Sequence, residues 1–593
     1  MHGWTGKLLR VDLTTRKTEV EAIPETWLRE YLGGRGLGVR YAAKEIPAGA
    51  DPLAPEMPLY FFNGPLTASR APTSGRFSVI SKSPLTGTIF DSNSGGQWAT
   101  ELKRAGLDGI AISGAADKPV MLSIANEKAE IRDAAELWGL DTAETQVRVR
   151  EMTDAKARVI CIGPAGEKRV LLSALINDRD RAAGRGGLAA IAGAKNLKAI
   201  SVRGTGQFDP ADGEALQAAA KRAVKAIKKN PVTGDALPTL GTAVLVNVMH
   251  AHGMLPTRNF TAGTFNNAEG ISGEKITERI LEKRSGCFNC PIACGRTTRL
   301  DDESGEGPEY ETAWSFGAQC GISNLEAVTR ANYRCNRLGL DTISMGSTIG
   351  CAMELSERGL LGEELSFGDA ASIVGLVEDT ALARGLGQRL GQGSKRLAED
   401  CGAPDAAMHV KGLELPAYDP RGAQGHALSY VTSNRGGCHL RAYMISPEIL
   451  GQPCLLDRFS TKGKAELVIV MQDLSAAVDG LVLCRFVQFA MGPDPLAEML
   501  SAAIGEDVSG EELMRVGART YALERLFNAR EGFGRKDDIL PPRFLESPLA
   551  EGASRGRLVE LGPMLDEYYA LRGWDDDGRP GNDQVAGLNL PSL

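Results

Sequence analysis

Along residues 7–20 apolar and polar positions alternate, with Leu9, Val11 and Leu13 set against Arg10, Asp12 and Thr14, and the run turns through a polar Thr-Thr-Arg-Lys segment. A period of two closed by a polar turn predicts a β-hairpin. Short β-rich runs follow at 58–63, 77–81, 109–113, 120–125 and 158–162, separated by Gly, Pro and Ser turns. The first two hundred residues therefore read as mixed but strand-heavy. After Gly204 the period changes: Asp209-Pro210 is a helix-start signal, and Ala215, Leu216, Ala219, Ala223, Val224 and Ile227 keep helical spacing until Asn230-Pro231 stops them. Long Ala/Leu/Glu/Lys-rich segments at 276–284, 325–338 and 370–398 predict a helical middle, a Pro/Gly-bearing stretch at 411–425 interrupts it, and helical segments return at 465–478, 495–504 and 510–530. The pattern predicts an α+β chain: a strand-rich domain over 1–208, then two mainly helical domains over 209–410 and 411–593.

Composition narrows the class. A chain of 593 residues with 43% hydrophobic and 24% charged residues can bury a large core, which excludes a disordered chain or a fibre. Lys plus Arg (67) against Asp plus Glu (75) gives a net charge of -8, which argues against a nucleic-acid coat or a basic membrane binder, and no run of about 18 apolar residues offers a membrane span. The start, Met1-His2-Gly3-Trp4, lacks the features of an export signal, so a cytoplasmic setting is expected, with reduced thiols or metal ligands in place of a disulfide framework for the eleven cysteines. Glycine is the outlier, at 70 residues, and implies close backbone approach.

The sharpest chemical feature is Cys287-Phe-Asn-Cys290-Pro-Ile-Ala-Cys294, three thiols in eight residues with no His beside them. Thiolates suit soft or borderline metals, and a tight cluster of three fits an iron–sulfur centre whose fourth ligand comes from elsewhere; structural zinc would show a second short-spaced pair, and buried unligated thiols are the bland alternative. Cys320, Cys335, Cys438 and Cys484 are all candidates for the fourth ligand, and spacing does not choose among them. Four segments set Arg or Asn against glycines: Gly33-Gly-Arg-Gly-Leu-Gly38, Ser74-Gly-Arg76, Asn93-Ser-Gly-Gly96 and Arg181-Ala-Ala-Gly-Arg-Gly-Gly187. Backbone N–H groups and Arg forks bind anionic oxygens, so a phosphate-bearing cofactor would explain them, although each alone is also an ordinary tight turn. None fits a dinucleotide fingerprint or a P-loop. In Gly307-Pro-Glu-Tyr-Glu-Thr312, two carboxylates lie beside Trp314 and Phe316, so one of them, if buried, can serve as acid or base; a solvated helix start is the alternative. His439, one of only six His, sits in a Gly-bearing turn.

Taken together and in order, Arg76, Asn93-Ser-Gly95, Arg181-Ala182-x-Gly184-Arg185-Gly-Gly, the three-cysteine motif, Gly307-Pro-Glu-Tyr-Glu311-Thr, Asn336-Arg-Leu-Gly-Leu340-Asp341, His439-x-Arg441, Asp479-x-x-x-Leu483-Cys484 and the ending Tyr568-Tyr-Ala-Leu-Arg-Gly-Trp-Asp575 resemble the tungsten-containing aldehyde ferredoxin oxidoreductases over almost the whole chain. The resemblance implies a tungsten bis-pyranopterin cofactor held through dithiolene sulfurs, with Arg76, Asn93, Gly95, Arg181, Ala182, Gly184, Arg185, Asn336, Leu340, Asp341, Arg441, Asp479, Val482 and Leu483 at the pterin and phosphate contacts. It implies Mg2+ bridging the pterin phosphates beside the Asn93 carbonyl, and a [4Fe-4S] cluster on Cys287, Cys290, Cys294 and Cys484. By the same resemblance Glu311 is the proton acceptor and His439 the hydrogen-bond donor in aldehyde oxidation, with water as the oxygen source. The family also contains carboxylate and aromatic acyl-CoA reductases, which is the alternative within it; a non-enzymatic iron–sulfur carrier and a zinc-stapled enzyme are alternatives outside it. The sequence departs from the family pattern at Val482, where Gly is usual, at Asn336, where Asp is usual, and at Arg441, where some members carry Lys. It also lacks the Glu-x-x-His pair with which some members bridge subunits through iron. The expected partner is a ferredoxin or a bound iron–sulfur subunit, which in turn can feed a flavoprotein, in a hetero-oligomer.

Overall fold

A computed structural model describes residues 2–591 and 593. The predicted hairpin is present: Lys7–Asp12 pairs antiparallel with Lys17–Ala22, and the buried positions of the first strand are Leu8, Leu9 and Val11. That hairpin edges a six-stranded mixed sheet that continues through Gly109–Ser113, Leu59–Phe62 and Phe77–Lys82 to Ile89–Ser94. A second six-stranded sheet runs from Arg181–Ala183 through Leu175–Asn177, Arg158–Ile162, Leu197–Arg203 and Val120–Ala125 to Lys128–Asp133. The two site-bearing strands, Ile89–Ser94 and Arg181–Ala183, are both edge strands, and the sheets meet near them. Ser94 Oγ donates to Asn177 Oδ1 at 2.7 Å, and Asn177 Nδ2 donates to Gly95 O at 2.9 Å. Edge strands expose unpaired backbone groups, so both sheets open their free edges to the same space.

The remainder is mainly helical, as expected, and Leu325–Leu338 and Gly510–Arg530 have the expected bounds. Three expectations are corrected. The helix expected over 276–284 stops at Arg279, and Leu281–Ser285 instead forms a strand paired with Gly295–Arg299. The helix expected over 370–398 is three helices, Ser372–Ala381, Leu386–Leu390 and Ser394–Asp400, interrupted where Gly385 (φ 46°) and Gly393 (φ 88°) take left-handed backbone. The helix Gly213–Lys229 begins later than Asp209-Pro210, on Asp212, whose side chain accepts from the Ala215 N–H.

Candidate active site

The hairpin that replaces the expected helix end is what presents the thiols. Ser285 lies opposite Gly295, so residues 286–294, with Cys287, Cys290 and Cys294, form its tip. The tip is tied down through Thr73: its N–H donates to Asn289 O at 2.9 Å, and its carbonyl accepts from the Cys484 N–H at 3.2 Å. One residue thus clamps the three-cysteine loop and Cys484 to each other. Of the other candidates for a fourth ligand, Cys320 is buried with Sγ directed to Ser315 O and Gly346 O, and Cys335 is buried within its helix. Cys438 lines the cavity but its sulfur accepts from Arg435 Nη2 at 2.9 Å and Nε at 3.3 Å. Among the described residues no three His, Cys, Asp or Glu side chains are grouped closely enough to hold one metal ion.

All four thiols open onto one cavity of about 920 Å³. Every site residue expected from the sequence lines it except Val482 and Leu483. The side chains of these two are fully buried in the core next to the cavity wall. Val482 caps the helix Lys464–Leu481 in a left-handed conformation (φ 60°), the reason glycine suits this position, and its Cγ2 fills the space left by Gly34 and Gly64. The segment Gly33–Gly38 is also not a cradle for an anion. It opens the helix Gly34–Glu45, and a Cβ on Gly34 would come within 2.3 Å of Asp479 O and one on Gly36 within 2.2 Å of Tyr31 O, so these glycines permit close packing. Arg35 is fully buried, with Glu524 taking both Nε (2.6 Å) and Nη2 (2.7 Å).

Arg35 belongs to a buried ionic network under the cavity that sequence reasoning missed. Arg441 bridges Asp91 at 2.8 Å and Asp479 at 3.3 Å, Arg35 reaches Asp479 at 3.2 Å, and Arg485 reaches it at 2.8 Å. Both carboxylates are buried, which by itself raises a carboxyl pKa, yet the surrounding guanidinium groups hold both below the usual range. Burial likewise works against the Cys438 thiolate, but Arg435, Arg441 and the Leu440 N–H together bring its pKa down to about 6. No local signal marked Asp91, Arg435 or Arg485: Asp91 meets Arg435 and Arg441 across more than three hundred residues, and Arg485 joins the network only through Asp479.

The expected arginines differ in what they leave free. Arg185 is committed to the protein, with bonds to Asp341 (3.2 Å), Ser344 Oγ (3.1 Å), Gly437 O (3.0 Å) and Glu414 O (2.8 Å). Arg181 pairs with Glu306 at 3.0 Å. Arg76 bonds the Asn93 side chain and donates to the Asn93 carbonyl at 3.1 Å. A Cβ on Gly95 would lie 2.6 Å from Cys287 Sγ, whereas one on Gly184 would meet only Asp341 Oδ1, at 3.9 Å.

Glu311 and His439 face each other at the boundary between this charged half and an apolar half. Glu311 lies in the first turn of the helix Tyr310–Phe316; its Oε2 accepts the Ala417 N–H at 3.0 Å, and Oε1 has no partner. Burial pushes its pKa up to about 8. His439 Nδ1 lies 3.7 Å from Glu311 Oε1 and is also unpartnered, and burial, with nearby His426, Arg185, Arg435 and Arg485, holds its pKa well below 6.5. At neutral pH this is a neutral imidazole beside a mostly protonated carboxyl. Tyr418 packs on the His439 ring with centroids 5.6 Å apart, and its hydroxyl meets that of Tyr443 at 3.0 Å. Outward from Tyr443 the wall is apolar: Val248, Leu450, Leu467, Met471 and Phe489 line it.

Two family models match the chain: aldehyde ferredoxin oxidoreductase, N-terminal domain, over residues 8–204, and aldehyde ferredoxin oxidoreductase, domains 2 and 3, over residues 218–590. The chain belongs to the aldehyde ferredoxin oxidoreductase family. It is similar to the tungsten-containing aldehyde ferredoxin oxidoreductase of Pyrococcus furiosus, 44% identical over 601 residues that cover 100% of this chain and 99% of the relative. The enzyme of the same name from Pyrococcus abyssi is 45% identical over 603 residues, again 100% of this chain and 99% of the relative. Among solved structures, the active-site complex BamBC of benzoyl-coenzyme A reductase with 1,5-dienoyl-CoA superposes with a TM-score of 0.85 at 25% identity, covering 99% of this chain and 97% of that one. The strand-rich start and helical remainder are therefore those of the family. Among the described residues no single helix is long and apolar enough to cross a membrane.

Proposed function

We propose that this chain is the catalytic subunit of a tungsten enzyme that oxidises aldehydes, RCHO + H2O → RCOOH + 2 H+ + 2 e−. The observation that carries this reading is that one cavity joins four thiols, a polar cradle and the Glu311–His439 pair. The residues fit a bis-pyranopterin group. Asp91 Oδ2, Arg441 Nε and Arg485 Nη1 are buried without partners around the cavity, and a polar organic ligand supplies what they lack. Gly184 leaves backbone open to it, and Arg181, Asn336, Leu340, Asp341 and Asp479 complete the cradle. The Asn93 carbonyl, which accepts from Arg76, would be the protein oxygen to hold a magnesium ion, which would supply positive charge for the cofactor's phosphates. Four thiols that share a cavity without converging on one point suit a four-iron cluster better than a tetrahedral zinc ion.

When bound, the tungsten pterin supplies a two-electron acceptor and the cluster a one-electron relay. The protein's own groups handle protons and position the substrate. The Ala417 N–H fixes Oε2 of Glu311 and leaves Oε1 to take a proton from water as the carbonyl carbon is attacked. His439, uncharged and held by Tyr418, donates its N–H to the carbonyl oxygen as negative charge develops there. The apolar wall excludes bulk water and receives the rest of the aldehyde.

The two electrons leave singly, and the chain carries no dinucleotide fingerprint. The acceptor is therefore an electron-transfer protein, a ferredoxin or a bound iron–sulfur subunit. Eleven free thiols fit a reducing, cytoplasmic setting. Acyl-CoA reduction at the same site is the second reading, favoured by the likeness to the benzoyl-coenzyme A reductase complex. Anaerobic purification tests the proposal: about one tungsten and about four iron per chain are expected, with a brown protein that reduces dye only when an aldehyde is supplied. Stoichiometric zinc without pterin would overturn it.

A further inference from the structure

Arg485 follows Cys484 directly, and the 3-10 turn Arg485–Phe489 folds it back along the helix Lys464–Leu481. Its Nη2 lies 2.8 Å from Asp479 Oδ2 and 3.4 Å from Ser475 O, while Nη1 is closed off from solvent and unpartnered. One side chain thus links the residue next to a thiol ligand with the carboxylate under the cofactor cradle. The charges around it balance: Arg35, Arg435, Arg441 and Arg485 face Asp91, Asp479, Glu524 and the Cys438 thiolate. Removing Arg485 alone leaves one uncompensated negative charge, on Asp479, in the wall of the cavity that Cys484 also lines.

We infer that Arg485 is a positioning residue that raises the reduction potential of the cluster bound through Cys484. This rests on the cluster proposed for the four thiols. Reduction places one electron, taken from the aldehyde, on the cluster and adds one negative charge there. In a buried setting a cation close by stabilises that charge far more than it would in water. Asp479 keeps Arg35 and Arg441 when Arg485 is lost, so the substitution removes charge without emptying the network.

The test is a redox titration of the anaerobically purified holoenzyme, read from the paramagnetic resonance of the reduced cluster, in wild type, Arg485→Leu and Arg485→Lys. At a fixed potential the ratio of reduced to oxidised cluster is expected to fall about tenfold in Arg485→Leu, a shift of about 59 mV for one electron, and to stay near wild type in Arg485→Lys. An intact cluster signal with wild-type potential in Arg485→Leu overturns the role of Arg485 and leaves the cluster standing. No cluster signal in the wild type defeats the cluster reading, and this role with it. If Arg485→Leu does not fold, Arg485→Gln drops the charge while keeping a donor for Asp479, and the same two outcomes apply.

Discussion

Replacing Glu311 by glutamine removes the charge and keeps the shape. The Ala417 N–H that Oε2 accepts at 3.0 Å can still be met by the amide oxygen, so the helix start at Tyr310 is expected to survive. The rise of the Glu311 pKa from 4.5 to about 8 gives the sign and size of two effects. Between those values the folded protein keeps a proton that the unfolded chain has lost, so stability falls as pH rises through that window and is level outside it. At 1.36 kcal/mol per pH unit, the loss at pH 7 is about 3 kcal/mol. Glu311→Gln is therefore expected to be more stable than wild type by about 3 kcal/mol at pH 7 and equally stable at pH 4.5, as measured by denaturant midpoints at both pH values. Activity moves the other way. A base must be ionised, and at pH 7 only about one Glu311 in ten is, so wild-type kcat/KM should climb with pH and level off above about 8. The glutamine variant should hold its metal, lose roughly 10²- to 10⁴-fold in kcat, and show no such rise. Aldehyde-dependent dye reduction between pH 6 and 9.5 reads this directly. A metal-loaded Glu311→Gln with wild-type turnover and a wild-type pH profile would refute the assignment of the base.

Cys484→Ser should lose the cluster's visible absorbance and about four iron per chain, whereas Cys320→Ser, whose sulfur is buried against Ser315 and Gly346, should keep both; equal iron in the two would contradict the ligand set. Because the outer wall of the cavity carries Leu450, Leu467, Met471 and Phe489, kcat/KM should rise up to about fourfold per methylene from acetaldehyde to hexanal, and a flat series would show that the aldehyde's body does not sit there. Native-level anaerobic purification should bring down an iron–sulfur protein with the chain; a chain that runs alone on size exclusion and turns over fully with free ferredoxin would exclude a stable complex.

The sequence made the local elements legible where one face decides the structure. Leu325–Leu338 repeats apolar residues every three to four positions between Asn324 and Gly339, and both of these cap it, Asn324 through its side chain and Gly339 in left-handed backbone. Leu281–Ser285 was not legible, because its strand character comes from pairing with residues beyond the cysteine loop that it supports. The same contrast runs through the site. Cysteine spacing marked the loop, and the ordered motifs marked most of the cradle. The charge network escaped, because Arg35, Asp91 and Arg435 acquire their meaning from each other and from Glu524, and Arg485 from an Asp479 shared with Arg35 and Arg441, a grouping that tertiary structure alone makes. Glycines beside Arg suggest room for a ligand, but at Gly34 and Gly36 that room is taken by Asp479 and Tyr31.

The central claim is aldehyde oxidation by two electrons that leave one at a time. Its most direct test is the stoichiometry of a single anaerobic reaction: aldehyde consumed, carboxylic acid formed and one-electron dye reduced, with protein of measured tungsten and iron content. The account predicts one acid per aldehyde and two dye molecules reduced per acid, with no reduction when aldehyde is omitted. Tungsten- and iron-loaded protein that leaves every aldehyde untouched and instead oxidises reduced dye in the presence of an aromatic acyl-CoA would contradict it.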